Sequence, residues 1–363
     1  MDKKTIKDIA EIANVSYATV SRALNDKYGV KEGTRRRVLE IAHELQYSPN
    51  AVARGLKSSR THTIGLVIPD ISNPFFPEVA RGVEEGASEQ GYSVLLCNTN
   101  WNVAREEQYL NLLAERRVDG IIISPMSACS QPLWRNGALA DLPVVFVANA
   151  PRDTTRPYVI IDNAHGGFLA TSHLLSEGYE RIAFVGAREE SVTVDQRFEG
   201  YRAAIEAQGA HIDDSLVCLG DFREQSGYEA ARALISGRRC PDAMFAENDL
   251  LAIGVIHALR ERGLRVPEDV GVVGFDDIPL AAFPEIGLTT IAQPKEEMGR
   301  RAALLLAEAI DRMKGQESSG GLSSAQPGSA PVQAMLEPEL VVRSTSTRTM
   351  NELPLQEGVE NAE

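Results

Sequence analysis

Tyr17, Ala18, Ser21 and Arg22 combine a phenol, a methyl, a hydroxyl and a guanidinium within six residues. Those groups can read base-pair edges, since they offer donors, acceptors and an apolar surface for a thymine methyl. They lie in IKDIAEIANVSYATVSRALN, residues 6–25. At helical spacing Ile6, Ile9, Ala10 and Ala13 share one face; after Val15, the trio Val20, Ala23 and Leu24 share another. Ser16 suits the N-cap of the second helix, where its hydroxyl accepts a bond from a free backbone N–H. The link Ala13-Asn14-Val15 allows only a tight turn, so the helices must cross steeply. That is the spacing of a helix-turn-helix, whose second helix enters the DNA major groove. The same spacing also fits an ordinary amphipathic pair.

The charge distribution favours nucleic acid at this end of the chain. The full 363 residues carry a net charge of −14. Residues 1–62 hold 12 Lys+Arg against 7 Asp+Glu, and the remainder 25 against 44. A basic head on an acidic body suits a phosphate contact confined to the head, because such attraction is screened over about 10 Å. A third helix opens at Thr34 (TRRRVLEIAHELQY), with Val38, Leu39, Ala42 and Leu45 inward. Lys31, Arg35 and Arg36 are placed for phosphates, or for a merely solvated face.

SPNAVARGLKSSRTHT follows, with Ser48 and Pro49 at a helix start and about two turns of helix over residues 50–57. Gly55, Ser58 and Ser59 make that helix marginal alone. Leu56 has no core nearby; a helix that orders on DNA and wedges Leu56 into the minor groove accounts for it.

From Thr63 apolar strands alternate with helices: TIGLVI, SVLLC, GIIIS, VVFV, YVIID, IAFVG, LVCL, AMFA and VGVVGF. Continuous apolar runs of this kind mark parallel strands buried on both faces. The rhythm predicts an α/β body of two Rossmann-like parallel-sheet subdomains meeting near Asp162, with a cleft between them. The domain plan is a headpiece over 1–47, a hinge over 48–62, one subdomain from 63–161 with 292–314, and a second from 162–291 with 336–343. The Gly/Ser/Pro-rich stretch 315–335 is expected to be disordered, as is an acidic tail from 344 to 363.

Cys97, Cys129, Cys218 and Cys240 are far apart and read as free thiols of a reducing cytoplasm. The six histidines lack ligand spacing, and no metal or cofactor is called for. No apolar run reaches about 18 residues. The body carries no G-x-G-x-x-G after its first strand, no P-loop and no G-x-S-x-G. Asp276 and Asp277 are sequence neighbours, which usually point apart, so the chain does not read as an enzyme. A sugar- or nucleoside-processing enzyme is the alternative of another class.

Taken together, TIKDIAEIANVSYATVSRALN, YSPNAVARGLKS, IGLVIPDISNPFF, RRVDGIII, AENDLLAIGV, RVPEDVGVVGFDD and LTTIAQP resemble the lactose-repressor (LacI/GalR) family of bacterial transcription regulators over about residues 1–343. The resemblance implies a repressor acting as a homodimer or tetramer on a pseudo-palindromic operator, under allosteric control by a small effector in the cleft. It implies DNA contacts at Thr5, Ser16, Tyr17, Ala18, Thr19, Ser21, Arg22 and Asn25, and in the hinge at Asn50, Ala53, Leu56 and Lys57. Ala18 departs from members with a hydrogen-bonding side chain there, which shifts direct readout onto Tyr17 and Arg22.

The body also resembles the ribose-binding branch of periplasmic sugar-binding proteins. The matched positions are Asn73, Phe75, Phe76, Arg197, Phe222, Asn248, Asp276 and Gln293, with Thr193 added beside them. Their chemistry suits a sugar, since aromatic faces pack on C–H surfaces and the polar groups meet hydroxyls. The competing reading makes Phe75 and Phe76 core and Arg197 one half of an interdomain ion pair. Ala148-Asn149 stand where these sugar binders usually carry an acidic residue, which removes a carboxylate acceptor. A purine-responsive repressor is the nearest alternative, although an arginine would be expected around Ser191. A phosphoprotein corepressor docking at Arg300 and Arg301 is a third.

Overall fold

The computed structural model describes residues 5–24, 28–45, 47, 60–126, 139–140, 142–187, 191–237, 240–318 and 333–348. The chain divides into two compact units at residues 61 and 62. Asn25, Asn50, Ala53, Leu56, Lys57 and Cys129 lie outside the described residues, as does nearly all of the expected hinge.

The first unit contains α1 (Ile6–Ala13), α2 (Tyr17–Leu24) and α3 (Glu32–Glu44). Ile9, Ala13, Val20, Ala23, Val38, Ile41 and Ala42 form its core. The Thr5 N–H donates to the Asp8 carboxylate at 2.6 Å, and the Thr5 hydroxyl does so at 2.9 Å, which fixes the start of α1. Asn14 turns the chain with φ +49°, a left-handed conformation that its short amide side chain tolerates. Ser16 then caps α2, its hydroxyl accepting the Thr19 N–H at 3.1 Å. Two expectations for α3 need correction. The helix starts at Glu32, two residues before Thr34. Leu39 is 46% exposed, while Ile41 is buried. The inward face repeats as Val38, Ile41, Ala42 and Leu45, and Leu39 falls about 100° from Val38.

The second unit holds two six-stranded sheets. The first is built from β1 (Thr63–Ile68), β2 (Ser93–Asn98), β3 (Gly120–Ile123), β4 (Val144–Val147), β5 (Tyr158–Ile161) and β11 (Gln333–Leu336), in the order β11-β5-β4-β3-β1-β2. The second is built from β6 (Ile182–Ala187), β7 (Val217–Gly220), β8 (Ala243–Ala246), β9 (Gly271–Asp276), β10 (Thr289–Ala292) and β12 (Glu339–Val341), in the order β12-β10-β9-β8-β6-β7. Among the described residues every pairing is parallel except β10 with β12. The helices are α4 (Phe75–Glu89), α5 (Val103–Glu115), α6 (Asn163–Ser176), α7 (Val192–Ala207), α8 (Glu224–Ser236), α9 (Asp249–Glu261) and α10 (Lys295–Ser318). Among the described residues the strands change sheet three times: after β5, after β10, and between β11 and β12.

The C-terminal part departs from the sequence reading. The single last strand expected over 336–343 is two short strands, one in each sheet, and β11 uses residues assigned to the disordered stretch 315–335. α10 runs to Ser318 rather than stopping near Met313. Residues 344–348 are not a loose tail. The Thr345 hydroxyl donates to the Val272 carbonyl at 2.7 Å, and the Thr345 carbonyl accepts the Val272 N–H at 2.7 Å. The Ser346 hydroxyl donates to that of Thr289 at 2.7 Å, and the Arg348 guanidinium lies 4.1 Å above the Tyr179 ring. The Thr345 hydroxyl also accepts the Thr289 N–H at 2.9 Å, so it satisfies backbone groups of the second sheet, a role that polar composition does not reveal.

Three helix pairs meet through reciprocal glycines. A Cβ on Gly82 of α4 would lie 2.0 Å from the Glu296 carbonyl oxygen on α10, and one on Gly299 would lie 2.1 Å from that of Val79. Gly167 and Gly200 bring α6 and α7 together in the same way, and Gly227 and Gly254 do so for α8 and α9. Gly82→Ala should therefore destabilise the body by about 1–3 kcal/mol through forced separation of α4 from α10. Denaturant unfolding of the variant measures it, and a loss below about 0.5 kcal/mol would show that the helices part easily.

Candidate functional site

The cleft lies where parallel sheets usually bind ligands, outside the carboxyl ends of their strands. Asn73 follows β1, Trp101 follows β2, Ser124 to Met126 follow β3, and Ala148 and Asn149 follow β4. From the other sheet come Ser191 and Thr193 after β6, Phe222 after β7, Asn248 after β8, Asp276 at the end of β9 and Gln293 after β10. All these residues, with Phe75, Phe76 and Arg197, line one cavity of about 60 Å³. The eight positions matched in sequence and Thr193 are thus brought together, drawn from both subdomains.

Arg197 is the most constrained of them. It is 8% exposed, donates from Nε to the Asn163 side-chain oxygen at 2.9 Å and from Nη1 to the Glu247 carbonyl at 2.6 Å. Its guanidinium carbon sits 3.8 Å from the Phe275 ring centroid, and Nη1 is 3.9 Å from the Asp276 carboxylate. The expected alternative, an ion pair between subdomains, does not hold, because Arg197, Asp276, Asn163 and Glu247 all belong to the second. Asp276 also accepts from Gln293 Nε2 at 2.7 Å. Lys295 Nζ donates to the Asp276 and Asp277 carbonyls at 2.7 Å each and lies 3.4 Å from Glu78.

Burial raises the Asp276 carboxyl to about 6, outweighing the opposing pull of Arg197 and Lys295. Behind it Asp249, fully enclosed, accepts from the Thr290 hydroxyl at 2.5 Å and the Ile278 N–H at 2.8 Å. Burial, then the nearby Asp276 charge, push Asp249 well above the usual carboxylate range. Asp277 turns away from Asp276 toward Arg343, at 2.7 Å. The adjacent carboxylates are therefore not arranged as an acid/base pair.

Other polar groups are partly spent on holding the walls. Asn73 accepts from the Phe75 N–H at 3.0 Å. Asn248 caps α9 by accepting from the Leu251 N–H at 2.8 Å, and it donates to the Phe222 carbonyl at 3.2 Å. Ser191 and Thr193 share a hydroxyl–hydroxyl bond of 2.8 Å. Asn149 donates from Nδ2 to the Pro125 carbonyl at 2.7 Å, while its Oδ1 is buried without a hydrogen-bond partner. The position read as lacking an acceptor thus keeps one, as an amide oxygen.

Phe75 and Phe76 are both core and cavity wall, meeting edge to face at 5.1 Å. Trp101 was missed by the sequence reading. Its ring stacks on Phe222 with centroids 4.2 Å apart and planes at 17°, joining the two subdomains across the cleft. Asn100 and Trp101 both have left-handed φ, +52° and +56°, and such strain clusters at functional sites. A tryptophan in the polar run NTNWNV just after β2 was the available signal.

In the headpiece Tyr17, 54% exposed, points to solvent, as do Ala18 and Arg22. Ser16, Thr5 and Thr19 have structural partners, since Thr5 caps α1 and the Ser16 and Thr19 hydroxyls lie 2.9 Å apart. Ser21 is half-buried. Arg35 leans on the end of α2, 3.5 Å from the Ala23 carbonyl, whereas Arg36 and Lys31 are exposed.

Asp276 binds its proton more tightly when folded, at about 6, than in an unfolded chain, at about 4. The stability it contributes is therefore complete below about pH 4 and is lost as the pH rises through about 6. Asp276→Asn keeps the oxygen facing Gln293 and should flatten the pH dependence of denaturant stability over that window. An unchanged slope would assign the dependence to another group.

The comparisons with known proteins agree with this architecture. Residues 5–50 match the family described as bacterial regulatory proteins, lacI family. Residues 61–326 match that described as periplasmic binding proteins and sugar binding domain of LacI family. The ribose operon repressor of Escherichia coli (strain K12) is 39% identical over 306 residues, covering 84% of this chain and 93% of that protein. The HTH-type transcriptional repressor PurR of Photobacterium profundum is 37% identical over 306 residues, with 84% and 92% covered. The lac repressor dimer bound to operator and the anti-inducer ONPF superposes with a TM-score of 0.80 at 26% identity, covering 96% of this chain and 100% of that one. With a three-helix headpiece and a two-sheet cleft body each matched, the chain belongs to the LacI family of helix-turn-helix transcriptional repressors.

Proposed function

We propose that this repressor binds a palindromic operator as a homodimer in the cytoplasm and that its cleft takes a neutral sugar, a pentose or a larger relative built on such a ring, as effector. The carrying observation is the cavity's chemistry. The buried Asn149 Oδ1 awaits a donor such as a sugar hydroxyl, and Phe76, Trp101 and Phe222 supply flat apolar faces beside it. Asp276, Arg197 and Gln293 supply directional polar groups on the opposite wall. A ligand that draws the two subdomains together stabilises one of two arrangements, and differential affinity for them is the only source of control.

The rival readings find less support. The purine-responsive reading expects an arginine around Ser191, and Ser191 and Thr193 share a hydroxyl–hydroxyl bond there instead. Arg300 and Arg301 are engaged by Glu89 at 3.0 Å and Glu297 at 2.5 Å, so a phosphoprotein would have to compete for them. For the dimer, the edge strands β2 and β7 carry exposed Leu95, Leu96 and Leu219, and Val103 and Leu112 of α5 are exposed too. An apolar edge of this kind calls for cover.

Thermal-shift screening of pentoses, hexoses, polyols, hypoxanthine and guanine tests the effector. Stabilisation by a sugar is expected, about 2.7 kcal/mol at a hundredfold excess over Kd; response to a purine and to no sugar would reverse the ranking. Arg22→Ala should cost about 1–3 kcal/mol of specific operator binding and little of non-specific binding. Equal losses would make Arg22 a phosphate contact. Leu96→Glu should shift the assembly toward monomer in sedimentation equilibrium, and an unaltered mass would place the interface elsewhere.

A further inference from the structure

Beside the 60 Å³ chamber lies a second of about 260 Å³, and the two share Ala148, Asn149 and Thr193 as common wall. Arg152, Tyr158, Ile160 and Met335 line it from the first subdomain, and Asn163, Val192 and Gln196 from the second. The first chamber alone falls well short of the roughly 300–1,000 Å³ of ordinary ligand pockets, and only with its neighbour does the space reach the lower end of that range. On another side the stack of Trp101 on Phe222 blocks enlargement. It is held by the strained Asn100-Trp101 turn and by Arg223 Nη2 donating to the Asn100 side-chain oxygen at 3.2 Å. A ligand longer than the first chamber has its open route past Asn149.

We propose that the side chamber is a second sugar subsite, and that the effector is a neutral two-ring sugar or glycoside whose second ring lies there. The inference rests on the sugar reading of the first chamber. Asn149 stands at the junction with its Nδ2 spent on Pro125 and its buried Oδ1 open, so a hydroxyl next to the glycosidic bond completes it. The side chamber, open to solvent at Met335, which is 57% exposed, combines apolar surface of Tyr158 and Ile160 with uncharged polar groups on Thr193 and Gln196. That pairing suits a sugar's C–H face and hydroxyl rim. Charge argues against an anionic ligand. Among the described residues Arg152 is the one ionised side chain in this lining, and Asp195 at 3.2 Å and Glu199 at 4.0 Å, both on α7, already neutralise it. A sugar phosphate or uronate would have to displace those carboxylates, whereas a neutral glycoside leaves the pair intact.

The test is isothermal titration of the full chain with xylose, glucose, xylobiose, cellobiose, maltose, hypoxanthine and guanine. At least one two-ring sugar should bind about tenfold or more tighter than its own monosaccharide. Gln196→Trp, which fills the side chamber, should bring that ratio to within about twofold. If this variant does not fold, Tyr158→Ala, which removes part of that apolar surface, should lower the same ratio. The subsite is overturned if monosaccharides bind as tightly as their dimers, or if the ratio survives in a folded Gln196→Trp chain. Binding of a purine and of no sugar of either length overturns the sugar reading itself. Silence of every probe counts against both.

Discussion

The body is organised around the buried guanidinium of Arg197. A cation withdrawn from water is tolerated only when its donors are satisfied and its charge is met. Here the first helix of the second subdomain supplies Asn163, the end of β8 supplies the Glu247 carbonyl, and β9 supplies both the Phe275 face and the Asp276 carboxylate. Three chain segments are thereby fixed to one side chain. Asp276 is held in turn by Gln293, at the crossing from the second sheet into α10, so the geometry of the cleft floor is tied to a passage between the subdomains. Reach to Arg197 is set by backbone contact as well. A Cβ at Gly167 would meet the Arg197 carbonyl oxygen at 2.2 Å, so the closeness of α6 and α7 decides how deep the guanidinium sits.

The strand–helix alternation was legible because each strand is an apolar run buried on both faces. It fails at the C-terminus for a physical reason. β11 and β12 are edge strands with exposed positions such as Met335, so their sequences lack the apolar continuity of β1 or β9. Residues 344–348 read as a tail because serine and threonine are common in loops, yet their hydroxyls complete the hydrogen bonding of β9 and β10. In α3 Leu39 and Ile41 lie two residues apart, about 200° around the helix, so only one of them can share the buried face with Val38 and Ala42, and that one is Ile41.

The cavity was legible residue by residue wherever a motif fixed the spacing, and illegible where a contact depends on tertiary approach. Phe222 and Asn248 follow their strands in recognisable runs. Trp101 acquires its role only because two consecutive left-handed residues aim it across the cleft at Phe222. Asn149 looked like the loss of an acceptor, and the structure shows an amide whose donor is spent and whose oxygen remains. Asp249 is one letter of the run AENDLLAIGV and opens α9, and only the fold places it behind Asp276, where it responds to the same burial.

The three chain passages between the sheets set the mechanics of the body. They follow β5 and β10 and link β11 to β12, and β5 and β11 are neighbours in one sheet as β10 and β12 are in the other. Three covalent straps limit how far the two halves can separate, and any motion between the halves has to be taken up within those straps. Gln293 and Asn163, which line the two chambers, lie just beyond the strands that lead into two of these passages, so a ligand held there binds beside the straps that join the halves.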